Sequence, residues 1–187
     1  MKPLFRTAAE LESAIIPAGW RYSFIGGIAL QRWGQPRLTN DIDITIIASF
    51  GKEESFIDLL LSKYHPRIED AKQFALQNRV LLLFSDDKIP IDIVFGGIPF
   101  EEHLVERSSR FEFLPGLSLL TCSAEDLIVM KAFADRARDW ADIETIIIRQ
   151  KNQLDWVAIN KELDVLCALK PSSGIPVHLD ALKQKAK

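Results

Sequence analysis

Hydrophobic and polar positions change period several times along the chain, and each change predicts an element. Residues 41–49, DIDITIIAS, alternate at their start and then run apolar, which predicts a strand. WRYSFI (20–25), FALQNRVLLLF (74–84) and IPIDIVFG (89–96) are also β-rich, and Ser85-Asp86-Asp87-Lys88 predicts a hairpin between the last two. A helical period runs through ESFIDLLLSKY (54–64), FEEHLVERS (100–108) and the continuous stretch 124–150, capped by Ser123. Another helix is predicted over 155–169, ended by Pro171-Ser172-Ser173-Gly174. Near the start, Thr7 and Glu10 have capping-box spacing, which predicts a helix over about 8–17, stopped by Pro17-Ala18-Gly19. Gly26-Gly27 predicts a turn, followed by a short helix over IALQRW that Gly34 and Pro36 stop. The pattern predicts an α/β core over 1–118 and a helical C-terminal region over 119–187, packed on the core.

Composition narrows the function classes. The 187 residues are 48% hydrophobic and 26% charged, a balance that supports a packed core rather than disorder. A net charge of −3 argues against a broadly basic nucleic-acid surface. Two cysteines, Cys122 and Cys167, make no disulfide framework. The start lacks the apolar core of a secretory leader, and no uninterrupted apolar run reaches the ~18 residues of a membrane span. A cytoplasmic protein is expected. The three histidines, His65, His103 and His178, have no ligand spacing, so no zinc site is expected.

The chemistry sits in the acids of the β-rich runs. Residues i and i+2 of a strand share a face, so Asp41 and Asp43 project together while Ile42 and Ile44 enter the core. Two neighbouring carboxylates repel unless a cation lies between them. Mg²⁺, which takes oxygen ligands and shares carboxylates with phosphates, supplies that charge, and Mn²⁺ is the alternative. Asp92, between Ile91 and Ile93, repeats the arrangement and supplies a third acid. An Asp-x-Asp pair alone is common; the glycine pair, the spacing to Asp41 and the later Asp92 are specific only together.

This joint pattern, GGIALQRWGQPRLTNDIDI (26–44) with Asp92, resembles the nucleotidyltransferase superfamily related to DNA polymerase β. It is most similar in style to the AbiEii-type toxins of type IV toxin–antitoxin systems, which carry a helical C-terminal region with a lysine and an Arg-Asp pair. SAEDLIVMKAFADRARDWADI (123–143) matches that region, although full AbiEii-type toxins are longer. The resemblance implies a polymerase β-like core, an α/β (α+β) fold with a mixed sheet flanked by helices. It implies transfer of NMP from an NTP to a hydroxyl acceptor with release of pyrophosphate. The acceptor is left open among RNA (such as a tRNA end), protein and a small molecule, and an antitoxin is an implied partner.

By the same resemblance Gly26 and Gly27 let the backbone approach the triphosphate. Asp41 and Asp43 hold the metal against the phosphates, and Asp92 completes the metal set and activates the acceptor hydroxyl. Lys131 neutralises the β- or γ-phosphate, with Asp139 orienting Lys131 or an arginine. On one continuous helix Lys131, Asp135, Arg138 and Asp142 form a stripe at i, i+4, i+7 and i+11. The plain alternative is a solvated face with Lys131–Asp135 and Arg138–Asp142 pairs worth a few tenths of a kcal/mol each. Arg37 and Thr39 either touch substrate or pin the loop before the acids. A non-catalytic nucleotide-binding or partner-binding module on the same fold is the competing function.

Overall fold

The structure is a computed structural model that describes residues 2–169 and 174–185. The predicted stop at Pro171-Ser172-Ser173 lies outside the described residues. The chain divides into two compact units, one of residues 1–28 and 38–122, the other of residues 29–37 and 123–187.

The first unit is built on a mixed sheet, as the sequence leads one to expect. Its strands are β1 (Tyr22–Phe24), β2 (Ile42–Ile47), β3 (His65–Pro66), β4 (Val80–Phe84), β5 (Pro90–Gly96), β6 (Ser109–Leu114) and β7 (Leu117–Thr121), in the spatial order β3-β4-β5-β2-β1-β7-β6. β2 runs parallel to β5, and β1 parallel to β7; the other neighbours are antiparallel. The predicted hairpin joins β4 to β5, with Ser85 N–H donating to the Ile89 carbonyl and Lys88 N–H to the Ser85 carbonyl.

Alternation in β2, β4 and β5 sorts the two faces. Ile42, Ile44, Leu81, Leu83, Ile91 and Ile93 are wholly buried. They join one core with Leu4, Phe5, Leu11 and Ile15 of α1 (Lys2–Ile15), Ile57 and Leu60 of α3 (Glu54–Leu61), and Ala71 and Ala75 of α4 (Ala71–Asn78). The intervening Asp43, Leu82, Asp92 and Val94 are half-buried on the opposite face. α2 (Gly26–Trp33) begins directly at the glycine pair, and α5 (Pro99–Glu106) lies against β1 and β2.

Three local expectations are corrected in this unit. Thr7 caps nothing: α1 starts at Lys2, with Pro3 in the first turn where its missing N–H costs no bond, and Thr7 is buried within the helix. Residues 74–78 are helical rather than extended. The helix ends where Arg79 takes a left-handed backbone, φ 55°, and its side chain donates to the carbonyls of Phe95 (2.8 Å) and Ala48 (2.6 Å). The β6–β7 hairpin was not expected; its turn is Pro115-Gly116, with Gly116 at φ 76°.

The second unit is helical, with α6 (Ala124–Ala134), α7 (Ala137–Gln150), α8 (Trp156–Ala168) and α9 (Ile175–Lys185). Ser123 caps α6 by accepting from Asp126 N–H at 3.0 Å, as its position predicts. Asp155 caps α8 through Val157 and Ala158 N–H. The single helix expected over 124–150 is two. Asp135 adopts φ 57° and ends α6, and its carboxylate accepts from Trp140 Nε1 at 2.8 Å. No helix among the described residues is long and apolar enough to cross a membrane.

Candidate active site

Parallel pairing of β2 and β5 sets Asp43 directly beside Asp92. Their flanking isoleucines are wholly buried, so both carboxylates leave the sheet on its half-exposed face. Asp41 lies one residue before β2 and is exposed, and Thr39 Oγ1 donates to its Oδ1 at 2.8 Å.

The glycine pair packs on the same acids. Gly26 has φ 54°, and a Cβ there would lie 2.0 Å from Asp43 Oδ2 and 2.9 Å from Asp43 Cβ. A Cβ on Gly27 would lie 2.1 Å from Thr39 Oγ1. Contact reaches the roots of both neighbours, so rotation of a side-chain tip does not relieve it. The glycines thus clear the space that Asp43 and Thr39 occupy, a reason for them that the sequence alone did not reveal. Gly27 N–H points at Asp43 Oδ2 from 3.5 Å, too long to carry much energy.

One partner escaped sequence reading. Arg67 extends the short β3, its N–H donating to the Leu82 carbonyl at 3.0 Å, and its guanidinium forms an ion pair with Asp92. Nothing in the local sequence signals this, because the contact depends on the register of three strands.

The donor chemistry fits an oxygen-seeking divalent cation: Asp43 and Asp92 offer carboxylate oxygens from one face, with Asp41 two residues upstream. Yet among the described residues no group of three or more His, Cys, Asp and Glu stands close enough together to hold a metal ion. The donor types match; the set is not closed.

Lys131 belongs to the second unit, and its surroundings overturn the solvated stripe. With α6 ending at Asp135, Lys131 bonds through its ammonium to other carboxylates than that of Asp135. It is 7% exposed and donates to Asp139 Oδ1 at 2.8 Å and Asp142 Oδ2 at 2.7 Å. Arg37 grips Asp142 with two bonds, Nε to Oδ1 at 2.8 Å and Nη2 to Oδ2 at 2.7 Å. Arg136 adds a further bond to Asp139. Arg138, expected beside Asp142, is exposed. Burial by itself raises both aspartate pKa values, but it is outweighed. Hydrogen bonds from Arg136 and Lys131 hold Asp139, and those from Arg37 and Lys131 hold Asp142, below the ordinary 3.8. The Arg37 carbonyl also accepts from Gln31 Nε2 at 2.5 Å, so the residue is tied at both ends.

Residues 17–168 match the family described as "Nucleotidyl transferase AbiEii toxin, Type IV TA system". No curated protein matches the chain. Among solved structures, an antigenic nucleotidyltransferase-like protein from Paracoccidioides brasiliensis is similar with TM-score 0.53 at 16% identity, over 95% of this chain and 92% of that one. The lincomycin-bound lincosamide antibiotic adenylyltransferase LnuA is similar with TM-score 0.50 at 15% identity, over 73% of this chain and 92% of that one. At these identities the two structures show a shared fold.

Proposed function

The chain belongs to the AbiEii nucleotidyl transferase family, and from that premise we propose a divalent-metal-dependent transfer of NMP from an NTP to a hydroxyl acceptor, with Asp41, Asp43 and Asp92 as the catalytic and metal-holding acids. The observation that carries this reading is the side-by-side placement of Asp43 and Asp92 on the half-exposed sheet face, with the glycine turn fitted onto Asp43. A non-catalytic module has no evident use for such a pair.

Bound Mg²⁺ or Mn²⁺ would neutralise phosphate oxygens and lower the pKa of the attacking hydroxyl. Asp41 and Asp43 would hold that charge, and Thr39 fixes the Asp41 carboxylate through its hydroxyl. Gly26 and Gly27 open the first turn of α2, where backbone N–H groups without a helix partner favour phosphate. Asp92 accepts the proton of the acceptor hydroxyl as its oxygen bonds to the α-phosphorus. The bond to the bridging oxygen breaks, and pyrophosphate leaves with that electron pair. Lys131 is proposed to meet the β- or γ-phosphate. Its ammonium carries three donors and Asp139 and Asp142 take two, so one N–H would be left for the phosphate. Arg37, Arg138, Asp139 and Asp142 are supporting residues in this scheme.

RNA, a protein hydroxyl and a small molecule all meet the requirement for an acceptor. A cytoplasmic toxin restrained by an antitoxin protein is the biological role that fits the family. Calorimetry with NTP, with and without Mg²⁺, tests the site. Asp43→Asn should weaken Mg²⁺-dependent NTP binding, whereas Asp92→Asn should largely spare binding and abolish transfer. Equal nucleotide affinity with and without metal, in parent and Asp43→Asn alike, would sink the proposal.

A further inference from the structure

Resting on the reading that Asp41, Asp43 and Asp92 serve a divalent cation, we infer that Arg67 is a positioning residue that competes with that cation for Asp92. Four residues form one row across the sheet. Arg67 bonds to Leu82, Leu82 is paired with Asp92, and Asp92 with Asp43. The guanidinium reaches past Leu82 and takes the carboxylate nearest to it.

The contact does little for the fold. Arg67 and Asp92 are 27% and 34% exposed, and ion pairs so open to water add little stability. Its effect falls on the site instead. Adjacent carboxylates need a positive charge near them, and here a side chain of this protein supplies one. Arginine does not lose its proton, so it yields Asp92 only by moving. The Phe84 ring already lies 5.7 Å from the guanidinium carbon, a cation–π contact that the side chain can keep when it leaves the carboxylate. Arg67 thereby occupies one of the three acids that a metal shell would need. A doubly charged ion, helped by a bound triphosphate, displaces it.

Mn²⁺ binding to the full chain without nucleotide, read from the electron paramagnetic resonance of the free ion, tests this. Arg67→Gln should bind Mn²⁺ at least about tenfold tighter than the parent, a change of about 1.4 kcal/mol. Arg67→Lys, which keeps the charge, should stay near the parent, and Arg67→Gln/Asp92→Asn should lose the gain. A purely structural Arg67 would change the unfolding temperature and leave Mn²⁺ affinity alone. An unchanged affinity in folded Arg67→Gln, or a gain that survives Asp92→Asn, overturns the inference. Asp43→Asn separates the two levels, measured with Mn²⁺ and NTP together. If it abolishes Mn²⁺ binding while Arg67→Gln matches the parent, only the competition is wrong. If it leaves Mn²⁺ binding unchanged, the metal reading fails and takes the competition with it.

Discussion

Gly26 answers two demands, a left-handed backbone and close approach by Asp43, and they can be measured apart. Gly116 also has positive φ, 76°, but nothing lies within 4 Å of a Cβ there. Gly116→Ala should therefore show strain alone, about 1–2 kcal/mol. Gly26→Ala adds overlap with the Asp43 carboxylate, so it should cost more in urea unfolding and also weaken NTP binding. Equal costs, with NTP affinity intact, would mean that Asp43 moves aside freely. Lys131 is a second residue where environment decides the expectation. Breaking a buried ion pair costs about 3–5 kcal/mol, so Lys131→Ala should be measurably less stable, not neutral as an exposed pair would be. If Lys131 also meets the terminal phosphates, the folded variant should lose NTP affinity roughly ten- to a hundredfold, the ~1.5–3 kcal/mol of a charge-assisted bond, and hold NMP as before. Parallel affinities for NTP and NMP would leave it with Asp139 and Asp142 alone.

The break between α6 and α7 shows how an element can mislead its own sequence. KAFADRARDWAD has neither glycine nor proline, and its charges fall at helical spacing. The helix stops because Asp135 takes a left-handed turn and Trp140 binds its carboxylate, contacts that exist only after folding. The turn folds the stripe back on itself and buries Lys131 between two acids. Both acids have depressed pKa values. Their contribution to stability is therefore complete above the ordinary 3.8 and is lost as pH falls through the lower folded values. Asp142→Asn should flatten the acid limb of the unfolding curve below about pH 4, besides costing about 3 kcal/mol or more at neutral pH. An acid limb identical to the parent's would mean that Asp142 carries no such linkage. α4 misled in a related way: FALQN and VLLLF read as one run because the boundary is set by Arg79, whose bonds go to β5 and to Ala48. By contrast, alternation in β2 and β5 was legible, since a period of two is fixed by the backbone. Ser123 was legible as a cap because its bond is local.

Across the whole molecule, the family was readable from a glycine pair, an alternating acid strand and one later aspartate; the resemblance implied the mixed sheet, and the helical period of 124–169 the C-terminal helices. What stayed hidden was everything set by pairing register. That covers the exact neighbour of Asp43 and the arginine on Asp92. The chemistry depends on those long-range placements, and it can be put to one test. The chain is incubated with α-labelled NTPs, Mg²⁺ or Mn²⁺, and separate pools of RNA, protein and small metabolites, and label and pyrophosphate are followed together. Label should enter one pool with equal release of pyrophosphate, only with metal, and neither Asp43→Asn nor Asp92→Asn should support it. Transfer that persists without a divalent ion, or in folded Asp92→Asn at the parent's rate, would contradict the assignment of these aspartates as the catalytic centre.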